Sequence, residues 1–223
     1  MVDYADSRRR MVDNQIRTAD VTHRPLLAAI EALPREVFLP EEAKPFAYSD
    51  RHLEIGRIEA TGETRYALAP VLLARLIQAV EPAQGAKVLH VACGTGYASG
   101  IFAALGAEVV SLEEDAKLIA SAEAAFKEAG VTGASPTLGS LAAGAAAKAP
   151  FDIIFIEGAY QAEPASLLAQ LAEGGRLIGV AGLGRAAQAM LQIKAGGAIT
   201  GRAVFDASAP LLAPFAAKPA FAL

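Results

Sequence analysis

Cysteine is all but absent from this chain of 223 residues: Cys93 stands alone, so no disulfide can close within it. A chain without a cysteine framework suits a reducing compartment, and a cytoplasmic location is expected. Excess positive charge is absent as well. Twenty Lys and Arg face 24 Asp and Glu, a net charge of −4, so the chain as a whole offers no footprint for a phosphate backbone. There is no uninterrupted apolar run of the roughly 18 residues that a membrane span requires. The basic Arg8-Arg9-Arg10 is followed by Met11-Val-Asp-Asn-Gln-Ile-Arg17 rather than by the apolar stretch of a secretion signal, and reads as a solvated helix face. Histidines and acids nowhere fall at metal-ligand spacing, so no metal site is expected. These absences set aside nucleic acid, membrane and metal, and nothing in the pattern specifies an oligomer.

What is present is concentrated between Lys87 and Glu113. Lys87-Val-Leu-His-Val-Ala-Cys-Gly-Thr-Gly-Tyr97 leads into an alanine-rich stretch and then Glu108-Val-Val-Ser-Leu-Glu113. That order reads as strand, glycine turn, helix and second strand ending in an acid, the front half of a nucleoside-binding βαβ unit. Gly94 and Gly96 lack a Cβ, so the chain can turn sharply there and its backbone can approach a ligand closely. Glu113 follows the turn at close to the roughly 20-residue spacing at which a carboxylate meets ribose hydroxyls.

Helical periodicity and prolines organise residues 1–80, with helices expected at 4–17, 25–33 and 70–80 and a loop around Gly56 and Gly62. From Lys87 the pattern becomes a parallel sheet covered on both faces. Strands are expected at 88–92, 108–112, 135–138, 152–156 and 175–181, with helices at 97–105, 116–129 and 163–171. Gly196-Gly197 joins two further β-prone runs, 189–193 and 198–205, as a hairpin. The alanine-rich 141–149 reads as a small surface helix, and the apolar tail 211–223, broken by Pro214 and Pro219, as a strap on the sheet. One compact unit is expected, a helical section at 1–80 packed on an α/β core at 81–223.

The glycine turn alone leaves two cofactors open. A dinucleotide fingerprint wants a sixth-position glycine, and here Ser99 holds that place with Gly100 one later, so nicotinamide is imperfectly supported. Five alternating units followed by a hairpin instead suit a seven-stranded sheet with one antiparallel strand, the arrangement of S-adenosylmethionine-dependent methyltransferases. Met11-Val-Asp-Asn-Gln-Ile16, Leu33-Pro-Arg-Glu-Val-Phe-Leu-Pro40, Ala47-Tyr-Ser-Asp50 with Leu53-Glu-Ile-Gly56, the 88–97 motif, Glu113, Phe151-Asp152 and Glu173-Gly-Gly-Arg-Leu177 succeed one another along almost the whole chain. Through the joint order of these segments the chain resembles the protein-L-isoaspartate O-methyltransferase family.

The resemblance implies a Rossmann-like methyltransferase sheet and S-adenosylmethionine as cofactor, with S-adenosylhomocysteine as product. It also implies methyl transfer to the free carboxylate of isoaspartyl residues in damaged proteins or peptides. The implied cofactor residues are Ala92, Cys93, Gly94, Thr95 and Gly96 in the turn, Glu113 at the ribose with Glu114 beside it, and Ser140 and Leu141 at the adenine. Glu157 either lines the cleft or caps the turn after its strand. The acceptor would lie against the loop that holds Arg65, Tyr66 and Leu68. Four departures stand out. Leu68 occupies the place of the family's serine in Ile-Ser-Gln-Pro, Ser140 that of the aspartate in Gly-Asp-Gly, His90 that of an acid, and Ala92 that of the first glycine. These are expected to weaken cofactor affinity and to reduce transfer rather than abolish it, and Leu68→Ser is expected to increase transfer if the pocket is otherwise intact. A methyltransferase for another acceptor, a catalytically weak S-adenosylmethionine-binding protein and an NAD(P)-dependent oxidoreductase are the alternatives. Plainer roles are expected for Cys93 as a small filler, for His90 as a histidine satisfied by a neighbour, and for Asp152 at the buried start of a strand.

Overall fold

Asp3 opens the first helix, α1 (Tyr4–Met11), its carboxylate accepting from the Asp6 amide at 3.0 Å in a computed structural model that describes residues 3–217. The rod continues as a wider π turn (Val12–Ile16) and a 3-10 turn (Arg17–Ala19), which keeps Met11, Val12 and Ile16 in the core. Pro25 sits in the first turn of α2 (Arg24–Ala32), where its missing N–H costs nothing, and His23 caps the same end by accepting from the Leu26 amide.

Residues expected as a loop form a hairpin instead, β1 (Leu53–Arg57) paired antiparallel with β2 (Thr64–Ala67). It is a separate two-stranded sheet with a register shift between Glu54 and Gly56. Helix α3 (Pro70–Ala79) follows, buried along Leu73, Ala74, Leu76 and Ile77.

The core then alternates as β3 (Lys87–Val91), α4 (Tyr97–Ala104), β4 (Glu108–Glu113), α5 (Ala116–Ala129), β5 (Ala134–Leu138), β6 (Phe151–Tyr160), α6 (Ala165–Leu168) and β7 (Leu171–Ala181). The hairpin β8 (Gln188–Ala195) and β9 (Ala198–Asp206) completes it. Strand order across the sheet is β5-β4-β3-β6-β7-β8-β9, with β8 antiparallel to both neighbours. Side chains alternate between faces along each strand. Val88, Ile153, Phe155 and Ile178 therefore join the helical section in one apolar cluster, while Leu89, Val91, Ile154, Ile156 and Leu177 join Leu212 and Phe215 in the other.

Three further expected elements differ. The 163–171 helix shrinks to four residues because β7 already begins at Leu171. No α-helix forms in 141–149, which carries only a 3-10 turn at Ala146–Lys148. Strand β6 runs past its acid to Tyr160, with a register shift between Phe155 and Ala159, so Glu157 lies within the strand rather than at its end. Gly158 lets the tail lie close: a Cβ there would stand 2.7 Å from Leu212 Cγ. The tail does strap the sheet through residue 217, and 218–223 lie outside the described residues. Among the described residues, no helix is long and apolar enough to cross a membrane, and no group of three acids, histidines or cysteines is placed to hold a metal.

Candidate active site

The turn after β3 bends through three positive φ angles, 61° at Ala92, 53° at Gly94 and 93° at Gly96. Ala92 pays a steric cost there of about 1 to 2 kcal/mol that a glycine would not. Both glycines are required by the protein's own side chains. A Cβ on Gly96 would lie 2.5 Å from Phe126 of α5, and one on Gly94 would lie 2.3 Å from Ile55 Cδ1 of the hairpin. Thr95 donates to the Phe38 carbonyl and ties the turn to the helical section. Cys93 is buried in the turn, and burial, reinforced by Glu113 and Glu157, pushes its thiol well above the usual range, which leaves it an inert filler.

Glu113 closes β4 with 0% exposure and faces inward. Its Oε2 accepts from the Gly94 amide at 3.0 Å, and its Oε1 accepts from the Glu114 amide at 2.8 Å. Oε1 also lies 3.2 Å from Nη2 of Arg65, a guanidinium on β2 that is itself only 1% exposed. The same Nη2 reaches Glu114 at 3.0 Å, and Nη1 reaches Glu63 at 3.0 Å. Burial works against the charge on Arg65, but Glu113 and Glu63, with Glu114, more than offset it and raise its pKa. Glu114 is raised above the ordinary carboxylate range by burial, which Arg65 opposes only in part.

Behind this cluster lies a second buried network. Glu157 Oε1 accepts from the Leu68 amide at 3.3 Å. Its Oε2 lies 2.9 Å from His90 Nε2, a close contact without hydrogen-bond geometry. His90 Nδ1 meets Ser99 Oγ at 2.7 Å, and Ser111 continues the chain at 2.7 Å. Arg35 donates to the carbonyls of Ala47 at 2.9 Å and Leu68 at 2.7 Å, with its guanidinium 4.8 Å from the Tyr97 ring. The Leu68 backbone is thus held from both sides while its side chain, 0% exposed, packs in the core.

The expected site residues separate into groups. Ala92, Cys93, Gly94, Thr95, Gly96, Glu113, Glu114 and Arg65 come together at the turn. Glu157 and Leu68 meet in the second network, where, among the described residues, Glu157 accepts from the Leu68 amide and from no amide of the turn after its strand. Arg65 was expected to face substrate or cofactor and instead faces Glu113. Leu141 is buried in the second apolar cluster, and Ser140 is exposed with its hydroxyl accepting from the Ala143 amide at 3.4 Å. Tyr66 lines a groove of 650 Å³ together with Phe46, His52, Leu53 and Ile55. Asp152 is exposed rather than buried, though structural as expected, accepting from the Lys87 amide at 2.8 Å. Ile55 and Arg35 carry roles that sequence reasoning missed; the period-two pattern of Leu53-Glu54-Ile55 was the available signal for the first.

S-adenosylmethionine asks this crevice for a free carboxylate at the ribose and an uncovered backbone at the glycines. Glu113 is engaged by three donors of the chain itself, and Ile55 stands over Gly94. In this conformation the residues present do not fit the nucleoside.

A parallel sheet with one antiparallel strand near its edge, a glycine turn after the central β3 and an acid ending β4 define the fold of S-adenosylmethionine-dependent methyltransferases. A solved protein-L-isoaspartate O-methyltransferase superposes with a TM-score of 0.80 at 24% identity, over 92% of this chain and 65% of that one. A Plasmodium falciparum protein-L-isoaspartate O-methyltransferase homologue, solved with S-adenosyl-L-homocysteine, gives 0.75 at 18% identity over 96% and 100%. Those identities speak for the fold. The chain itself belongs to the protein-L-isoaspartate(D-aspartate) O-methyltransferase family, whose profile matches residues 6–205. A Koribacter versatilis protein-L-isoaspartate O-methyltransferase is 35% identical over 175 residues, 78% of this chain and 76% of that protein. One from Methylorubrum extorquens is 36% identical over 176 residues, 79% and 74%.

Proposed function

We propose that this chain is an S-adenosylmethionine-dependent O-methyltransferase that esterifies the free carboxylate of L-isoaspartyl residues in damaged proteins or peptides, a protein-repair reaction. The observation that carries this reading is family membership across residues 6–205, and it favours methyl transfer over the nicotinamide chemistry that the glycine turn left open. A carboxylate with a pKa near 4 is ionised at neutral pH, so the acceptor needs no general base. A site without a catalytic base is therefore compatible with turnover, with positioning and exclusion of water supplying the acceleration. Arg35 and Glu157 serve positioning, since they fix the Leu68 backbone beside the turn. The helical section and the core are read as one working unit, joined where Thr95 meets Phe38. Because the crevice does not accept the nucleoside as folded, no transfer step is written through it.

A second reading, a family member with little transfer activity, is favoured by the buried Arg65 to Glu113 pair. The test is incorporation of base-labile radiolabelled methyl from S-adenosylmethionine into an isoaspartyl peptide beside its aspartyl isomer. Labelling of the isoaspartyl peptide alone is expected. No labelling by the wild-type chain or by the opened variants described below would end the reading.

A further inference from the structure

The β1–β2 hairpin covers the glycine turn and the acid that ends β4, and its side chains supply what a nucleoside would otherwise meet. Arg65 occupies the carboxylate of Glu113 and Ile55 covers the glycine turn. We infer that this hairpin is a built-in occupant of the nucleoside crevice, so that the cofactor enters only when the hairpin swings away. The inference rests on the methyltransferase reading and adds a closed state to it.

Four observations support a hairpin that is both held and able to move. It forms its own two-stranded sheet, so displacing it breaks no pairing in the seven-stranded one. Its turn is anchored by the Glu59 amide on Asp115 at 3.1 Å and by Glu59 with Lys117 at 3.0 Å. The Ala213 amide of the tail donates to Glu63 at 3.3 Å, on the same oxygen that pairs with Arg65. At its far end the chain runs into Leu68, fixed by Arg35 and Glu157, which gives the hairpin a stationary base to pivot from. A ligand that binds only the open state has its affinity reduced by the fraction of molecules that are open.

The experiment is calorimetric titration of S-adenosylhomocysteine into the full-length wild type, Ile55→Ala and Arg65→Gln at one fixed salt concentration. Gln keeps an amide donor for Glu113, and Ile55→Ala removes no charge, so Ile55→Ala decides alone if Arg65→Gln does not fold. Expected is binding at least about tenfold tighter in Ile55→Ala than in the wild type, the gain that a tenfold larger open fraction gives. Wild-type binding as tight as that of Ile55→Ala overturns the closed state and leaves the methyltransferase reading standing. Binding by none of the three proteins overturns both.

Discussion

Gly94 concentrates the site's steric logic in one position. Its φ of 53° already disfavours a side chain, and a Cβ would press into Ile55. Gly94→Ala is expected to cost about 3 kcal/mol, part backbone and part overpacking. Only the second part should be relieved by Ile55→Ala, so urea unfolding of the single and double variants should give a coupling of about 1 kcal/mol. Additive effects would mean the hairpin does not rest on the turn in solution. Leu68 gives the opposite lesson. Read as a replaced serine it invited reversion, yet its side chain is sealed in the core. Leu68→Ser is expected to destabilise the fold by about 3 to 5 kcal/mol, through lost packing and a buried hydroxyl, as read by the denaturation midpoint. A midpoint unchanged from wild type would contradict that packing. Glu113 was legible because an acid ending the strand after a glycine turn is a local pattern. Arg65 as its partner was not, because that pairing joins two distant segments and is set by tertiary folding.

At the scale of elements, α5 shows how capping ties the site together. Asp115 accepts from the Lys117 and Leu118 amides, as an N-cap should, and also from Glu59 at the hairpin turn. Burial works to raise its pKa, but the three amides and the Lys117 charge outweigh it, and the net shift is downward. A carboxylate depressed on folding contributes stability that is fully present above its unfolded pKa and is lost as pH falls through the folded value. The stability gap between wild type and Asp115→Ala is thus expected to be about 1 to 2 kcal/mol at neutral pH. It should narrow as pH falls below about 4, the ordinary aspartate value, and a gap that stays constant on acidification would contradict the shift. The helices and parallel strands of the core were readable because long periodic segments carry their own pattern. The β1–β2 hairpin was hidden by strands of five and four residues and a register shift at Gly56, which break the alternation. The short α6 was overestimated because nothing local marks where an apolar helix gives way to an apolar strand.

Across the whole molecule, the tail and the helical section converge on the carboxyl edge of the sheet. Leu212 packs over Gly158 while the next residue reaches Glu63, so the tail braces both β6 and the hairpin. Leu212→Ala is expected to cost about 2 to 4 kcal/mol, measured by thermal or chemical unfolding. A loss below about 1 kcal/mol would mean the tail is not part of the core. That the sheet is parallel with one antiparallel strand followed from the alternation and the terminal hairpin. The closure of the crevice did not, since it depends on contacts among residues 55, 63, 65, 94, 113 and 213 that no single segment encodes.

The Gly94 amide points at Glu113 beneath the hairpin, in a place water cannot reach while Ile55 and Arg65 remain seated. That one proton is a resident gauge of whether the gate stands shut. Its rate of exchange with deuterium reports how often the protein opens, with no ligand added and no label introduced.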